Sequence, residues 1–258
     1  AAINMVLGAS VAGARAMTSS SGPGISLKQE GISYLAADEL PAVILNMVRG
    51  GPGMGNISPA QSDYLQATRG GGHGDYRTIV LAPSSVQEIA DMMPLAFELA
   101  EKYRNPVVVL GDGMLGQMME PVEFDHIKKL KEPPKDYILT GAKGRPSRMV
   151  RSLLFDVKEE EEHNWKLTRK FKRIEQNEVR YETYLLDDAE MAVVAYGTSA
   201  RIAKGAIIRL RQEGLKVGMI RPITLWPFPA RIVQETAKTT HDFFVFEMSA
   251  GQLIEDVK

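Results

Sequence analysis

Three apolar runs, each ending at a polar or glycine-rich turn, constrain this chain more than any other feature. Ala42–Val48, Thr78–Ala82 and Pro106–Leu110 are apolar on nearly every residue rather than on alternate ones. A strand that shows one face to water alternates, whereas a strand buried on both faces reads as a near-continuous hydrophobic run. Such strands belong in a parallel sheet covered by helices. Helical segments lie where that requires them. Ile3 to Arg15 is small and apolar. Ile25 to Leu40 carries Ile25, Leu27, Ile32, Leu35 and Leu40 as markers. Val86 to Tyr103 follows Ser84 and Ser85, with Glu88 placed as in a capping box. Ala16 to Ser19 adds a short strand. The order is βαβ, so the first unit is expected to be a doubly wound α/β domain.

The middle of the chain reads differently. Pro121 to Met149, with Pro133-Pro134 and Gly144-Arg145-Pro146, has connector composition. Asp156 to Leu186 is densely charged, with Leu167, Phe171, Ile174, Tyr181 and Leu185 recurring at helical spacing, which predicts one long surface helix. From Met191 a second α/β unit begins. Strands are expected over Met191–Tyr196, Lys216–Arg221 and Asp242–Glu247, and helices over Ser199–Glu213 and Pro229–Thr239, with helical character returning over Gln252–Val257. The division expected is 1–125, a connector with the charged helix over 126–190, and 191–258.

Composition narrows the chemistry. Lys plus Arg is 31 against 32 for Asp plus Glu, so the net charge of -1 gives no general attraction to nucleic acid or an anionic membrane. No apolar run is long enough to span a bilayer. There is no secretory-type leader pattern. With 0 cysteines, disulfides, thiolate zinc sites, Cys-ligated iron–sulfur clusters and a Cys nucleophile are all excluded within the chain. The absence of cysteine fits a reducing compartment, and a cytoplasmic location is expected.

Candidate sites cluster where strands end, which is where open parallel sheets collect ligands. Thr18-Ser19-Ser20-Ser21-Gly22-Pro23-Gly24 offers hydroxyls and turn-forming glycines before a helix. Arg49 closes the Ala42–Val48 run and opens Gly50-Gly51-Pro52-Gly53-Met54-Gly55. Its planar fork suits a carboxylate or phosphate, against the plainer reading of a surface Arg paired with an acid. Gly70-Gly71-Gly72-His73-Gly74-Asp75 is a third such loop, with His73 a candidate hydrogen-bonding residue. No nucleophile elbow accompanies it, which argues against a Ser–His–Asp hydrolase. Gly111 to Gly116 matches G-x-G-x-x-G, but Pro121 and the connector replace the helix and returning strand that a dinucleotide site needs. Gly197-Thr198-Ser199 reads as a helix cap more readily than an anion site. His126, His163 and His241 lack ligand-like spacing, and no metal site is expected.

Taken together these motifs resemble a known family. The Thr18–Gly24 loop with Gln29-Glu30-Gly31 resembles the pyrimidine-domain motif of thiamine diphosphate enzymes. Val48-Arg49-Gly50-Gly51-Pro52-Gly53-Met54-Gly55, Gln61-Ser62-Asp63, Gly71-Gly72-His73-Gly74-Asp75-Tyr76 and Val80-Leu81-Ala82-Pro83 are similar to the α subunit of 2-oxoacid:ferredoxin oxidoreductases, and most of all to its 2-oxoisovalerate (branched-chain) branch. Glu247-Met248-Ser249-Ala250-Gly251-Gln252 resembles a late segment of that subunit, with Ser249 in place of Asn.

The resemblance implies a reaction: a 2-oxoacid, coenzyme A and oxidised ferredoxin give acyl-coenzyme A, carbon dioxide and reduced ferredoxin. It implies a pyrimidine-type domain followed by a transketolase C-terminal-like domain. It implies thiamine diphosphate shared with a β subunit that holds the diphosphate and its magnesium. Iron–sulfur clusters would sit on a partner, with a γ subunit and ferredoxin as further partners. By the same likeness Arg49 matches the Arg that binds the substrate carboxylate, and Thr18, Ser19, Ser20, Ser21, Gly22 and Pro23 line the pyrimidine pocket.

The activating carboxylate of the family would precede Ala1, since the first acid here is Glu30. No catalytic residue is therefore assigned. The chain is expected to be a fragment, short at its N-terminal and also at its C-terminal end, and inactive alone. Another transketolase-type thiamine enzyme and a non-catalytic assembly subunit are the alternatives.

Overall fold

The computed structural model describes residues 1–127, 130, 131 and 133–258. In chain order the elements are α1 (Ala2–Val11), β1 (Met17–Ser20), α2 (Pro23–Ser26), α3 (Gln29–Ala37), β2 (Ala42–Val48), α4 (Tyr64–Arg69), β3 (Ile79–Leu81), α5 (Val86–Tyr103), β4 (Pro106–Asp112) and α6 (Gly113–Gln117). After the connector come α7 (Val157–Asn177), β5 (Tyr181–Tyr184), β6 (Met191–Val194), α8 (Gly197–Gln212), β7 (Val217–Pro222), β8 (Thr224–Trp226), α9 (Ala230–Thr236), β9 (Asp242–Val245) and α10 (Ile254–Val257).

The apolar runs do become buried parallel strands. The first sheet has the order β1-β2-β4-β3-β8, with β1, β2, β4 and β3 parallel. Every residue of β4 and of β3 is buried. Helix α5 begins as its caps dictate: Ser85 Oγ accepts from the Glu88 amide at 3.1 Å, while the Glu88 carboxylate accepts from the Ser84 amide at 2.8 Å. The reciprocal box is thus spread over both serines.

The second sheet, β5-β7-β6-β9, divides its side chains between two cores. Val193 and Met219 pack with Ala200, Ala203 and Ile207 of α8. Their neighbours Val194 and Ile220 join the main core with Leu225 and Trp226. The alternation of a strand, with period two, therefore sends one face to α8 and the other to the first unit.

Contacts of several kinds join the halves. Strand β8 leaves the second half and pairs antiparallel with β3, Val80 opposite Trp226 and Leu81 opposite Thr224. Phe171 of α7 packs edge-on against Trp226, with ring centroids 6.1 Å apart. The buried guanidinium of Arg221 binds Glu88 at 2.8 Å and Glu182 of β5 at 3.0 Å. Burial alone would raise the Glu88 carboxyl, but the Arg221 hydrogen bond and charge outweigh it and hold it below the ordinary range.

Two expected helices are corrected. The segment Ile25–Leu40 is two helices, because the chain tightens at Leu27 and Lys28, where the Lys28 side chain turns back to β1. The charged helix stops at Asn177 rather than running to Leu186. Glu178 is buried there, bonded by Lys102 at 2.7 Å, Tyr103 at 2.6 Å and Arg180 at 2.9 Å. Tyr181–Tyr184 then alternates as β5 and pairs antiparallel with β7.

Helix α7 docks through a buried charge cluster. Lys170 lies 3.6 Å from the Glu39 carboxylate and donates to the Arg104 carbonyl at 3.2 Å, while Lys166 also binds Glu39. Burial pushes the Lys170 ammonium down to about 8, and Glu39 offsets it only in part. An unfolded lysine titrates near 10.4, so between about 8 and 10.4 the unfolded chain binds more protons and stability rises with pH. Urea midpoints measured at pH 8 and pH 10 are expected to rise more in the parent protein than in Lys170→Met; equal changes would refute the burial of a charged Lys170.

Candidate functional site

A cleft of about 670 Å³ opens beyond the carboxyl ends of β1 and β2. One side is Gly22, Pro23 and Ser26 at the turn into α2. The floor is Arg49 with the loop Gly50–Gly53. The far wall is the segment 248–252, with Ala60, Ser62 and Asp63 completing it. A larger cleft of about 850 Å³ lies beside α5 and is lined by Asp91, Glu98, Glu101, Lys102 and His126, far in the fold from these strand ends.

Arg49 holds its position through neutral partners. Its Nη1 donates to the carbonyls of Met54 at 2.6 Å and Asn56 at 3.2 Å. Among the described residues it is in no ion pair. The plainer reading, an Arg neutralised by a nearby acid, is therefore not what the structure contains. The guanidinium lies against Gly22, whose φ of +56° and ψ of -131° belong to a region that glycine alone adopts readily. A Cβ at this position would sit 2.9 Å from Arg49 Nε. Gly22→Ala is thus expected to displace the guanidinium and cost about 1–3 kcal/mol of backbone strain. Thermal or denaturant unfolding of Gly22→Ala within about 0.5 kcal/mol of the parent would sink this placement.

The far wall is tied down by three side chains. Gln61, nearly fully buried, accepts through Oε1 from the Met248 amide at 2.9 Å and from Ser199 Oγ at 2.9 Å, and donates from Nε2 to the Tyr196 carbonyl at 2.9 Å. Its own amide donates to the Met248 carbonyl at 2.7 Å. Glu247 accepts from Ser249 Oγ and from the amides of Gln252 at 3.0 Å, Leu253 at 2.9 Å and Ile254 at 3.2 Å, so one carboxylate closes the turn into α10. Gln252 Nε2 returns to the Ser62 carbonyl at 2.7 Å.

Of the residues singled out from sequence, Arg49, Gly22 and Pro23 meet in this cleft. Thr18, Ser19, Ser20 and Ser21 are not among its lining. Thr18, Ser19 and Ser20 form the end of β1, and a Cβ on Gly24 would lie 2.2 Å from Ser20 Oγ, so Ser20 points under the turn into α2. His73 is exposed in its loop outside the cleft.

The Gly111–Gly116 pattern runs from the last two residues of β4 into the five-residue α6, which is capped by Asp112, whose Oδ1 accepts from Met114 and Leu115. Ser199 does not cap α8 but bonds Gln61, and Tyr196 occupies the cap position without a side-chain bond. His126 binds Asp91 and His163 binds the Ala37 carbonyl. Asp63, Ser26 and the 248–252 wall were not singled out as site residues; only the Gln61-Ser62-Asp63 and Glu247–Gln252 motifs pointed toward them.

Residues 1–183 match the family described as pyruvate flavodoxin/ferredoxin oxidoreductase, thiamine diphosphate-binding, and the whole chain is 55% identical to ketoisovalerate oxidoreductase subunit VorB of Methanothermobacter thermautotrophicus, covering 73% of it. The chain belongs to the 2-oxoacid:ferredoxin oxidoreductases. Within that family, residues 189–258 match the pyruvate:ferredoxin oxidoreductase core domain II. The 2-oxoglutarate synthase subunit KorA of the same organism is 36% identical over 284 aligned positions, and the chain covers 75% of it.

A solved 2-oxoglutarate:ferredoxin oxidoreductase from Magnetococcus marinus, with 2-oxoglutarate, coenzyme A and succinyl-CoA bound, superposes with a TM-score of 0.82 at 28% identity. It covers 98% of this chain, which spans about half (49%) of that longer one. A split-gene transketolase, at 15% identity and TM-score 0.56, shares the fold.

The cleft offers an anionic group a guanidinium in no ion pair among the described residues, in keeping with the thiamine diphosphate that the family description names. The space beside the two glycines of the turn is taken by protein atoms, the Arg49 guanidinium at Gly22 and Ser20 Oγ at Gly24. Asp63 is the acid lining the cleft, and its Oδ2 accepts from Asn46 at 3.0 Å. Glu30 lies outside, exposed and bonded by Tyr34 at 3.0 Å. Among the described residues no cluster of His, Asp or Glu is arranged to hold a metal ion, and no helix is long and apolar enough to cross a membrane.

Proposed function

We propose that this chain works as the α subunit of a thiamine diphosphate-dependent 2-oxoacid:ferredoxin oxidoreductase whose substrate is a branched-chain 2-oxoacid, 2-oxoisovalerate. The products are acyl-coenzyme A and carbon dioxide, and ferredoxin takes the electrons. The observation that carries the reading is the Arg49 guanidinium, held by two carbonyls at the floor of the cleft and in no ion pair among the described residues. Higher identity to the ketoisovalerate subunit, 55%, than to the 2-oxoglutarate subunit, 36%, supports the branch.

In this reading Arg49 binds the substrate carboxylate with its planar fork. Thr18, Ser19, Ser20, Ser21, Gly22 and Pro23 form the pyrimidine side of the cofactor site. Thiamine diphosphate, when bound, supplies the electron sink that decarboxylation needs. The Gln61-tied wall keeps water from one side of the carboxylate. A β subunit holds the diphosphate and its magnesium. The iron–sulfur clusters sit on a partner, in keeping with the 0 cysteines of these residues, and a γ subunit and ferredoxin complete the cytoplasmic assembly. Residues 1–125 serve as the pyrimidine-type domain, 126–190 as connector and 191–258 as the transketolase C-terminal-like support.

The test is coenzyme A-dependent reduction of a low-potential dye by the purified complex, with pyruvate, 2-oxoglutarate and 2-oxoisovalerate side by side. Preference for 2-oxoisovalerate is expected. Preference for another 2-oxoacid removes the branch. No turnover by a complex containing thiamine diphosphate and its clusters removes the reading.

A further inference from the structure

Helix α7 packs one face against the body of the molecule and turns the other to solvent. Leu167, Lys170, Phe171 and Ile174 are its buried residues. On the 3.6-residue period of a helix the opposite face carries Glu161, Glu162, Trp165, Arg169, Lys172 and Arg173, all of them exposed. Trp165 stands at the centre of that face and is 55% exposed, although a Trp ring ordinarily buries most of its area. A shallow groove of about 510 Å³ lies beside it, lined also by Glu162, Lys166 and Arg169.

The charges on this face have an order that the helix itself does not explain. Acids come before Trp165 and bases after it. The helix dipole rewards acids in the first turn and bases in the last turn, and its effect fades beyond them. The first-turn acids are Glu159 and Glu160, and the last turn holds no base. Glu161, Glu162, Arg169, Lys172 and Arg173 therefore lie outside its reach. Arg169 is three and four residues from Lys172 and Arg173, spacings at which like charges on a helix repel. None of these five is in an ion pair among the described residues, and Glu161 accepts from Trp165 Nε1 at 3.4 Å.

We propose that this face of α7 is an interface with a second copy of the chain, the two α7 helices lying antiparallel about a two-fold axis at the level of Leu167. A face whose charge changes sign at its midpoint is complementary to itself turned end for end, which is what an isologous contact needs. Residues at matching distances before and after Leu167 then meet. Glu161 meets Lys172 of the second copy, Glu162 meets Arg173 of the second copy, and the Trp165 ring meets the guanidinium of Arg169 of the second copy. Flank matches as well as level. Glu161 and Lys172 lie on one side of the face, Glu162 and Arg173 on the other, and the two-fold keeps each side together. The repelling bases gain acids, the exposed ring gains a cation, and symmetry makes every contact twice. Trp and Arg are the residues that most often anchor interfaces, and the charges set the register. A nucleic acid is a poorer occupant, because Glu161 and Glu162 would repel it.

The experiment uses the whole purified complex. Glu161→Cys and Lys172→Cys are placed in the same chain, which has 0 cysteines of its own. Along one helix the two positions are about 16 Å apart, beyond the reach of a disulfide. Between copies in the proposed register they are neighbours. Mild oxidation is expected to give a species of twice the chain's mass, in which mass spectrometry finds the 161 and 172 peptides joined. Neither substitution alone is expected to cross-link, because equal positions on the two copies are also about 16 Å apart. Adding Glu162→Lys to the double variant is expected to cut the cross-linked fraction at least about fivefold, and adding Arg173→Glu as well to restore it. A zero-length carbodiimide reagent needs no substitution, and on the parent complex it is expected to join the same two peptides through Glu161 and Lys172.

Absence of the 161–172 disulfide in the assembled double variant overturns the proposal. So does a disulfide that forms equally well in either single variant, which would mean a different orientation of the helices. A cross-link from position 161 to a different subunit also overturns it and gives this face to that partner. If the double variant does not assemble, the carbodiimide reaction on the parent decides: the 161–172 link supports the two-fold contact, and its absence overturns it.

Discussion

Arg49→Ala is expected to lower kcat/KM for the 2-oxoacid by roughly 30- to 1,000-fold, or about 2–4 kcal/mol, the cost of truncating one partner of a desolvated charge pair. The loss should fall mainly on KM, because a carboxylate that does not change charge during reaction is held alike in ground and transition states. Arg49→Lys keeps the charge but not the fork, so an intermediate value is expected. The free chain gives no reason for a large stability change. Arg49 is only half-buried, and the bonds lost go to the carbonyls of Met54 and Asn56 in an exposed loop. Steady-state kinetics on the complex decide: an unchanged KM together with unchanged kcat would leave the cleft to a non-catalytic assembly subunit.

Gln61→Leu is expected to cost about 3 kcal/mol or more of stability. A side chain of similar size replaces one that serves three buried partners, and each partner left alone costs about 1–3 kcal/mol. The partners are the Met248 amide, Ser199 Oγ and the Tyr196 carbonyl. They belong to the cleft wall, to α8 and to its cap, so the loss acts on the seam between the halves. Denaturant unfolding followed by tyrosine fluorescence measures it. A change below about 1 kcal/mol would mean that water replaces the amide at this seam. Gln61→Glu separates the two functions of the side chain: Oε1 still accepts, while the Tyr196 carbonyl faces a carboxylate instead of a donor.

Legibility in the sequence followed the range of the forces involved. Strand β2 and helix α5 were read to their end residues, because buried apolar runs and serine caps are local signals. Strands β5 and β8 were not. Tyr181–Tyr184 alternates for only four residues inside a charged stretch, and Thr224–Trp226 is extended because Val80 and Leu81 offer it an edge. No local pattern records a partner more than a hundred residues away. The site divided in the same way. A glycine loop after a buried strand made Gly22 and Arg49 candidates, and the fold brought them into contact. The wall at 248–252 reaches the cleft through Gln61, across 187 positions of sequence, and only a family likeness marked it.

Strand β8 also bears on how the molecule comes into being. A ribosome delivers residues 79–81 long before residues 224–226, so for most of synthesis the outer edge of the first sheet has no neighbour. Val80 and Leu81, both fully buried in the finished protein, wait beside an open backbone edge of the kind that templates pairing with other chains. The nascent first half is therefore an incomplete product until its last strand arrives. Splitting the gene between the two matched regions would make that vulnerable state permanent.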